Sequence, residues 1–244
     1  MKKMPLPRFT LGALFLGMMV IGHIGALAQT GPILRLAHYS TGNGMAGFIL
    51  DQTGIPVKLR FDGSEEIVAL AAAQAPGGAI SLKRDNGNVL IRFDDQLGAT
   101  FYGGQFRDGT PVFIDKEAMP LAIAPATKGQ AEDKAVSIAR QLKNDFGITL
   151  QIDLDAPALD AQSLKWSAMA DTAMVVGIAL KDLAATQLGH DAIVAKIERV
   201  VIRDKNSPAI ELTGQTLVLS VVADKTVAGR PSSILLESKL GDLL

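Results

Sequence analysis

The sequence predicts an α+β fold: an N-terminal antiparallel β meander, built as a sandwich or rolled sheet, then an α+β layer. That layer is expected to hold two main helices, a small antiparallel sheet and a short C-terminal helix. Three observations carry this. Between Ile33 and Ile114, short β-prone runs are cut by turn residues at the spacing of an all-β unit. From Ala131 the apolar period becomes helical, and beyond Gly189 β-prone runs return.

The first half predicts strands at 46–51, 56–61, 67–72, 79–84, 88–93, 99–102 and 111–114. Asn86-Gly87 is the clearest turn, because its two residues suit the positive φ values of a tight hairpin. In Val57-Lys58-Leu59-Arg60-Phe61 and Val89-Leu90-Ile91-Arg92-Phe93 apolar residues recur at every second position, so one sheet face is buried and the other wet. Met119-Pro120 through Ala126 breaks the pattern and marks the boundary between a β-rich domain at 29–120 and an α+β domain at 121–244. Ala131, Ala135, Ile138, Leu142 and Phe146 share one helical face, with Gly147 as C-cap. Residues 148–153 read as a strand, and 162–186 as a helix that from Trp166 to Leu180 is almost wholly apolar apart from Ser167, Asp171 and Thr172. Strands follow at 197–203, 209–212 and 216–223, and Pro231-Ser232-Ser233 opens the last helix, where proline suits the first turn and a serine hydroxyl can cap it.

The N-terminal residues 1–28 have the layout of a signal peptide. Lys2, Lys3 and Arg8 precede an uncharged stretch at 9–28 that ends in Ala26-Leu27-Ala28. Cleavage near Ala28 gives a periplasmic or secreted protein beginning at Gln29, in contact with the membrane only before cleavage. The alternative is an inner-membrane protein anchored by the uncleaved segment, which approaches the roughly 20 residues of a membrane span. Without that segment the chain has 21 Lys and Arg against 25 Asp and Glu, a net charge of −4. Such a chain has no electrostatic footprint for nucleic acid. It contains no cysteine, so disulfides, thiolate nucleophiles and thiolate metal sites are excluded.

Candidate sites are sparse. Gly42-Asn43-Gly44-Met45-Ala46-Gly47 matches the letters of a dinucleotide fingerprint, but a strand-like run follows where that chemistry needs a helix N-terminus. His38 and His190 have no partner at metal-pair spacing, and no metal or cofactor site is expected. His190 serves as a general base only if folding supplies a nucleophile and an orienting carboxylate. Asp153 and Asp155, with Asp160 nearby, point to one strand face and offer paired carboxylates for glycoside hydrolysis, or simply the wet side of a strand. Asp171, inside an apolar helix, needs either a partner, with Lys165 and Arg199 as candidates, or a raised pKa. Arg230 with Ser232 and Ser233 at a helix N-terminus suits an anion. Tyr39, Phe48, Phe101, Tyr102 and Phe106 offer an aromatic face for sugar stacking, with Tyr39 and Tyr102 as its ligand-binding candidates.

Three segments carry a family resemblance: Tyr39-Ser40-Thr41-Gly42-Asn43-Gly44-Met45-Ala46-Gly47-Phe48, Leu59-Arg60-Phe61-Asp62-Gly63 and Gly229-Arg230-Pro231-Ser232-Ser233. They resemble exported alphaproteobacterial proteins described only as a domain of unknown function. The resemblance implies export and brings no catalytic residue with it. The expected function is a non-catalytic binding or envelope-interaction module, whose partner is an envelope component or a small ligand. The alternative is a hydrolase of envelope polymers drawing on the aspartates.

Overall fold

A computed structural model of the chain describes residues 35–156, 160, 163 and 165–244, so the signal peptide expected at 1–28 lies outside the described residues. The fold is mixed α and β, with a large antiparallel sheet of eight strands closed as a barrel. These are β1 (Ala37–Thr41), β2 (Gly47–Asp51), β3 (Val57–Phe61), β4 (Val68–Gln74), β5 (Ile80–Lys83), β6 (Val89–Asp94), β7 (Gly98–Gly103) and β8 (Phe106–Glu117). Instead of an open sandwich or rolled sheet, β1 pairs with both β2 and β8 and removes the free edges. Register shifts in the β1–β8, β5–β6 and β7–β8 pairs also distinguish the barrel from a simple meander.

Side-chain alternation fills the barrel. Leu59 of β3 and Phe48 and Leu50 of β2 point inward, as do Tyr39, Leu70, Leu82 and Phe93. An aromatic group occupies the centre, with Tyr39 stacked on Phe48 at 5.7 Å between ring centroids and Phe48 against Phe101 at 5.5 Å. The expected aromatic face for sugars is therefore an interior. Tyr39 is 3% exposed, and its hydroxyl donates to the Arg35 carbonyl at 3.2 Å. Burial pushes that phenol above its ordinary pKa. Only Tyr102, one residue out of phase with Phe101, escapes the interior.

A segment from Ala118 to Ala126 leaves β8 and is tied to the barrel wall. The Leu121 amide donates to Asp51 at 2.8 Å, and Lys58 Nζ donates to the Leu121 carbonyl at 2.6 Å. Helix α1 (Lys128–Phe146) then begins with a capping box between Thr127 and Gln130 and ends at Gly147, whose φ of 72° is left-handed. Its buried residues Ala131, Ala135, Ile138 and Leu142 follow the spacing predicted for that face.

The remaining elements are β9 (Gln151–Asp155), α2 (Lys165–Ala184), α3 (Gln187–Lys196), β10 (Arg199–Asp204), β11 (Ala209–Thr213), β12 (Thr216–Val221) and α4 (Ser233–Leu243). Two expectations are corrected here. The small sheet, ordered β11-β12-β10-β9, is mixed rather than antiparallel, because β10 runs parallel to both β9 and β12. The crossover through α2 and α3 returns the chain in the same direction, which forces a parallel β9–β10 pair. The second correction is α3, which stands where a loop and a helix end were expected at Gly189. Thr186 caps α3 by accepting from the Gly189 amide, and a Cβ at Gly189 would overlap the Leu183 carbonyl. That glycine permits close approach and does not terminate a helix.

Helix α2 carries the second core, with Trp166, Met169, Val176 and Leu180 buried among α1, α4 and the inner face of the sheet. Gly177 lets α1 approach, since a Cβ there would lie 2.7 Å from the Ile138 side chain. No described helix is long and apolar enough to cross a membrane.

Candidate functional site

The sequence candidates separate into three places. Asp153 and Asp155 lie on the sheet face opposite Ile152, which packs toward the helices. Each is matched to an arginine of the neighbouring strand: Asp153 accepts from Arg199 Nε at 2.5 Å, and Asp155 lies 3.0 Å from Arg203 Nε. Asp171 belongs to α2 on the other side of that sheet, so the three carboxylates are not brought together. Asp160 is exposed.

Asp171 has an arginine partner other than the two expected. It accepts from Arg230 Nε at 2.5 Å, while Lys165 pairs with Asp204 at 3.4 Å and Asp224 at 2.8 Å. The Asp224 hydrogen bond, chiefly, holds the Lys165 ammonium above its ordinary pKa. Arg230 is almost fully enclosed and also donates to the Ile67 carbonyl at 3.0 Å and the Pro231 carbonyl at 3.1 Å. Glu66 lies 3.7 Å from the same guanidinium and accepts from the Ser233 amide at 2.9 Å and the Ser233 hydroxyl at 2.5 Å. Asp85 accepts from the Ser232 amide at 2.6 Å and its hydroxyl at 2.7 Å.

At the start of α4, where an external anion was expected, the protein's own carboxylates stand. Two barrel carboxylates occupy the free amides of the helix N-terminus, where the helix dipole favours negative charge. Arg230, Ser232 and Ser233 join the barrel to the helices through these bonds.

His190 sits in α3 with Nδ1 3.1 Å from Asp191 and Nε2 3.0 Å from the Phe146 carbonyl at the end of α1. The Asp191 hydrogen bond, reinforced by that carbonyl, raises its pKa above the ordinary histidine value. Among the described residues its ring bonds only to Asp191 and the Phe146 carbonyl. The other histidine has the richer setting. A bulge opposite the His38–Tyr39 step leaves Asp115 as the extra residue of β8, 2.5 Å from His38 Nδ1, while Asp62 lies 2.9 Å from Nε2. The hydrogen bond from His38 is the main cause holding the Asp115 carboxyl below its ordinary pKa. Both ring nitrogens of His38 are thus occupied by carboxylate oxygens, and neither faces an open position. Gly47, the last glycine of the fingerprint-like run, admits this contact, because a Cβ there would collide with the Asp62 carboxylate. Among the described residues no group of three or more His, Asp or Glu side chains is arranged to hold a metal ion.

A concave space remains beside the Arg230 cluster. A cleft of about 490 Å³ opens between the barrel, the 118–126 segment and helices α1 and α2. Arg60 and Ser64 line its barrel side, and Ile67, Ile123, Pro125, Ala170 and Met174 give it apolar walls. Its helical side adds Gln130, Ser167 and Asp171. At the mouth, Lys134 Nζ lies 3.3 Å from Glu65. Arg60 makes no hydrogen bond or ion pair among the described residues. A second hollow of about 380 Å³ shares Ser64, Glu65, Lys134 and Met174 and extends along the helices toward Lys181. Sequence alone could not single out Arg60, because a wet-face arginine in an alternating strand looks the same whether or not a cleft lies over it.

No curated protein and no solved structure matches the chain. A family model described as "Domain of unknown function (DUF4908)" matches residues 26–237, and the chain belongs to that family.

Proposed function

We propose that the protein is exported and acts as a non-catalytic binding module, holding a small ligand with an acidic head and an apolar body in the cleft beside Arg60. The carrying observation is the contrast in that cleft: an unpaired guanidinium stands against apolar walls, while Asp171 is already committed to Arg230. A volume of about 490 Å³ falls within the range of small-molecule sites. Export rests on the basic head, uncharged stretch and Ala26-Leu27-Ala28 ending of the N-terminal segment. Asp153 and Asp155 are each paired with an arginine and Asp171 stands across the sheet from them, which argues against the hydrolase alternative, since that needs two carboxyl groups free to flank one bond.

Titrating the isotope-labelled mature chain with hexanoate tests this. Chemical shifts should move at Ile123, Ala170 and Met174, with Arg60→Gln weakening the response about tenfold, the worth of a hydrogen bond to a charged group. Equal binding of hexanol, which has the chain without the charge, would remove the role given to Arg60. Mass spectrometry of the exported chain should give an N-terminus at Gln29, whereas an intact N-terminus would mean the membrane-anchored alternative and recovery of the chain in the cytosol alone would remove the export.

A further inference from the structure

A different cavity has the opposite character to the cleft. It measures about 470 Å³ and is lined by Arg84, Asn86 and Asn88 of the β5–β6 turn, by Tyr102 and Arg107 of the β7–β8 hairpin, and by Ile234 of α4. Two guanidiniums, two amides and a phenol meet there, and no carboxylate lines it.

These groups are held open. Arg84 Nε is buried with no hydrogen-bond partner, and the guanidinium rests over the Phe61 ring at 5.6 Å. Its nearest carboxylates, Glu66 and Asp85, are engaged by Ser233 and Ser232. Burial lowers the Arg84 pKa, a pull that Glu66 and Asp85 oppose. Arg107 is exposed and makes no ion pair, and the Tyr102 hydroxyl makes no hydrogen bond, among the described residues. The Tyr102 ring lies against the backbone of Gly109, where a Cβ would come within 2.7 Å of it at a φ of 89°. That glycine leaves room for the ring beside the hairpin backbone. A buried cationic donor without an acceptor is costly, and an oxyanion supplies what it lacks.

We propose that this cavity binds an oxyanion carried on a sugar-sized polar body, with Arg84 and Arg107 on the charged group, Asn86 and Asn88 on hydroxyls, and Tyr102 against the ring. The site is separate from the Arg60 cleft and stands or falls independently of it.

Calorimetric titration of the mature chain with glucuronate, glucose 6-phosphate, inorganic phosphate and glucose tests the assignment. Glucuronate or glucose 6-phosphate should bind, and Arg107→Gln should weaken that binding about tenfold. Tyr102→Ala should weaken it while Tyr102→Phe retains most of it. All three variants lie on the β7–β8 hairpin, and folding is checked by an unchanged melting temperature. None should alter the hexanoate response at Met174. Inorganic phosphate binding as tightly as the anionic sugars would overturn the sugar-sized body. Glucose binding equally well would overturn the oxyanion, and binding of none of the four would overturn the site.

Discussion

Replacing Arg230 with alanine is expected to lower the stability of the fold by about 3–5 kcal/mol, the usual effect of breaking a buried ion pair from one side. The side chain is 2% exposed and donates to Asp171, to Ile67 and to Pro231 from three guanidinium nitrogens. Alanine leaves Asp171, 9% exposed, without its counter-charge and frees two buried carbonyls. Arg230→Lys should recover only part of the loss, since one ammonium cannot serve three acceptors set around a planar fork. The combined change Arg230→Met with Asp171→Leu should be milder than the alanine variant, because it removes the Asp171 charge together with its partner and leaves Glu66 its bonds to Ser233. Urea unfolding reads all three as shifts in midpoint. A loss under about 1 kcal/mol for Arg230→Ala would mean that the pair is solvated like a surface bridge.

The same pair shows where sequence reasoning stops. Asp171 in an apolar helix announces that a partner is needed, and periodicity fixes the helix that carries it. It cannot say that the partner lies 59 residues on, at a turn before α4. The strands with strict alternation, such as Val57–Phe61, were legible because burial of one face leaves a period of two. β1 was not legible, because Ala37, His38, Tyr39, Ser40 and Thr41 alternate without a clear apolar set. Missing that strand hides closure, since β1 is the one that joins β2 to β8. It also hides the Asp62–His38–Asp115 cluster, which depends on a bulge that no local pattern marks. The two cavities were illegible for a further reason. Arg60, Arg84 and Arg107 are ordinary polar residues of strands and turns, and only the docking of α1, α2 and α4 decides what roofs them.

Asp51 gives the next largest expected effect and a pH dependence with a definite sign. It is fully buried and accepts from the Thr53 amide at 2.9 Å, the Thr53 hydroxyl at 2.6 Å and the Leu121 amide at 2.8 Å, with Lys58 at 3.5 Å. Burial favours the protonated acid, but these donors together with Lys58 outweigh it and hold the carboxyl below its ordinary pKa. Asp51→Ala strands several donors at once and should cost about 3 kcal/mol, at 1–3 kcal/mol for each buried group left unpaired. Asp51→Asn keeps the Thr53 acceptor but turns an amide NH₂ toward the Leu121 N–H, so the tie to the 118–126 segment should fail first. A depressed folded-state pKa means that the unfolded chain binds the proton more readily. The stabilisation from Asp51 is therefore present above the unfolded value of about 3.9 and is lost as pH falls through the lower folded value. Thermal melts from pH 7 to pH 2 should show a stability decline below about pH 4 that is shallower in Asp51→Asn than in the parent chain. Equal slopes in the two proteins would place the acid sensitivity elsewhere, because a carboxylate that no longer exists cannot take up the proton that unfolds the chain.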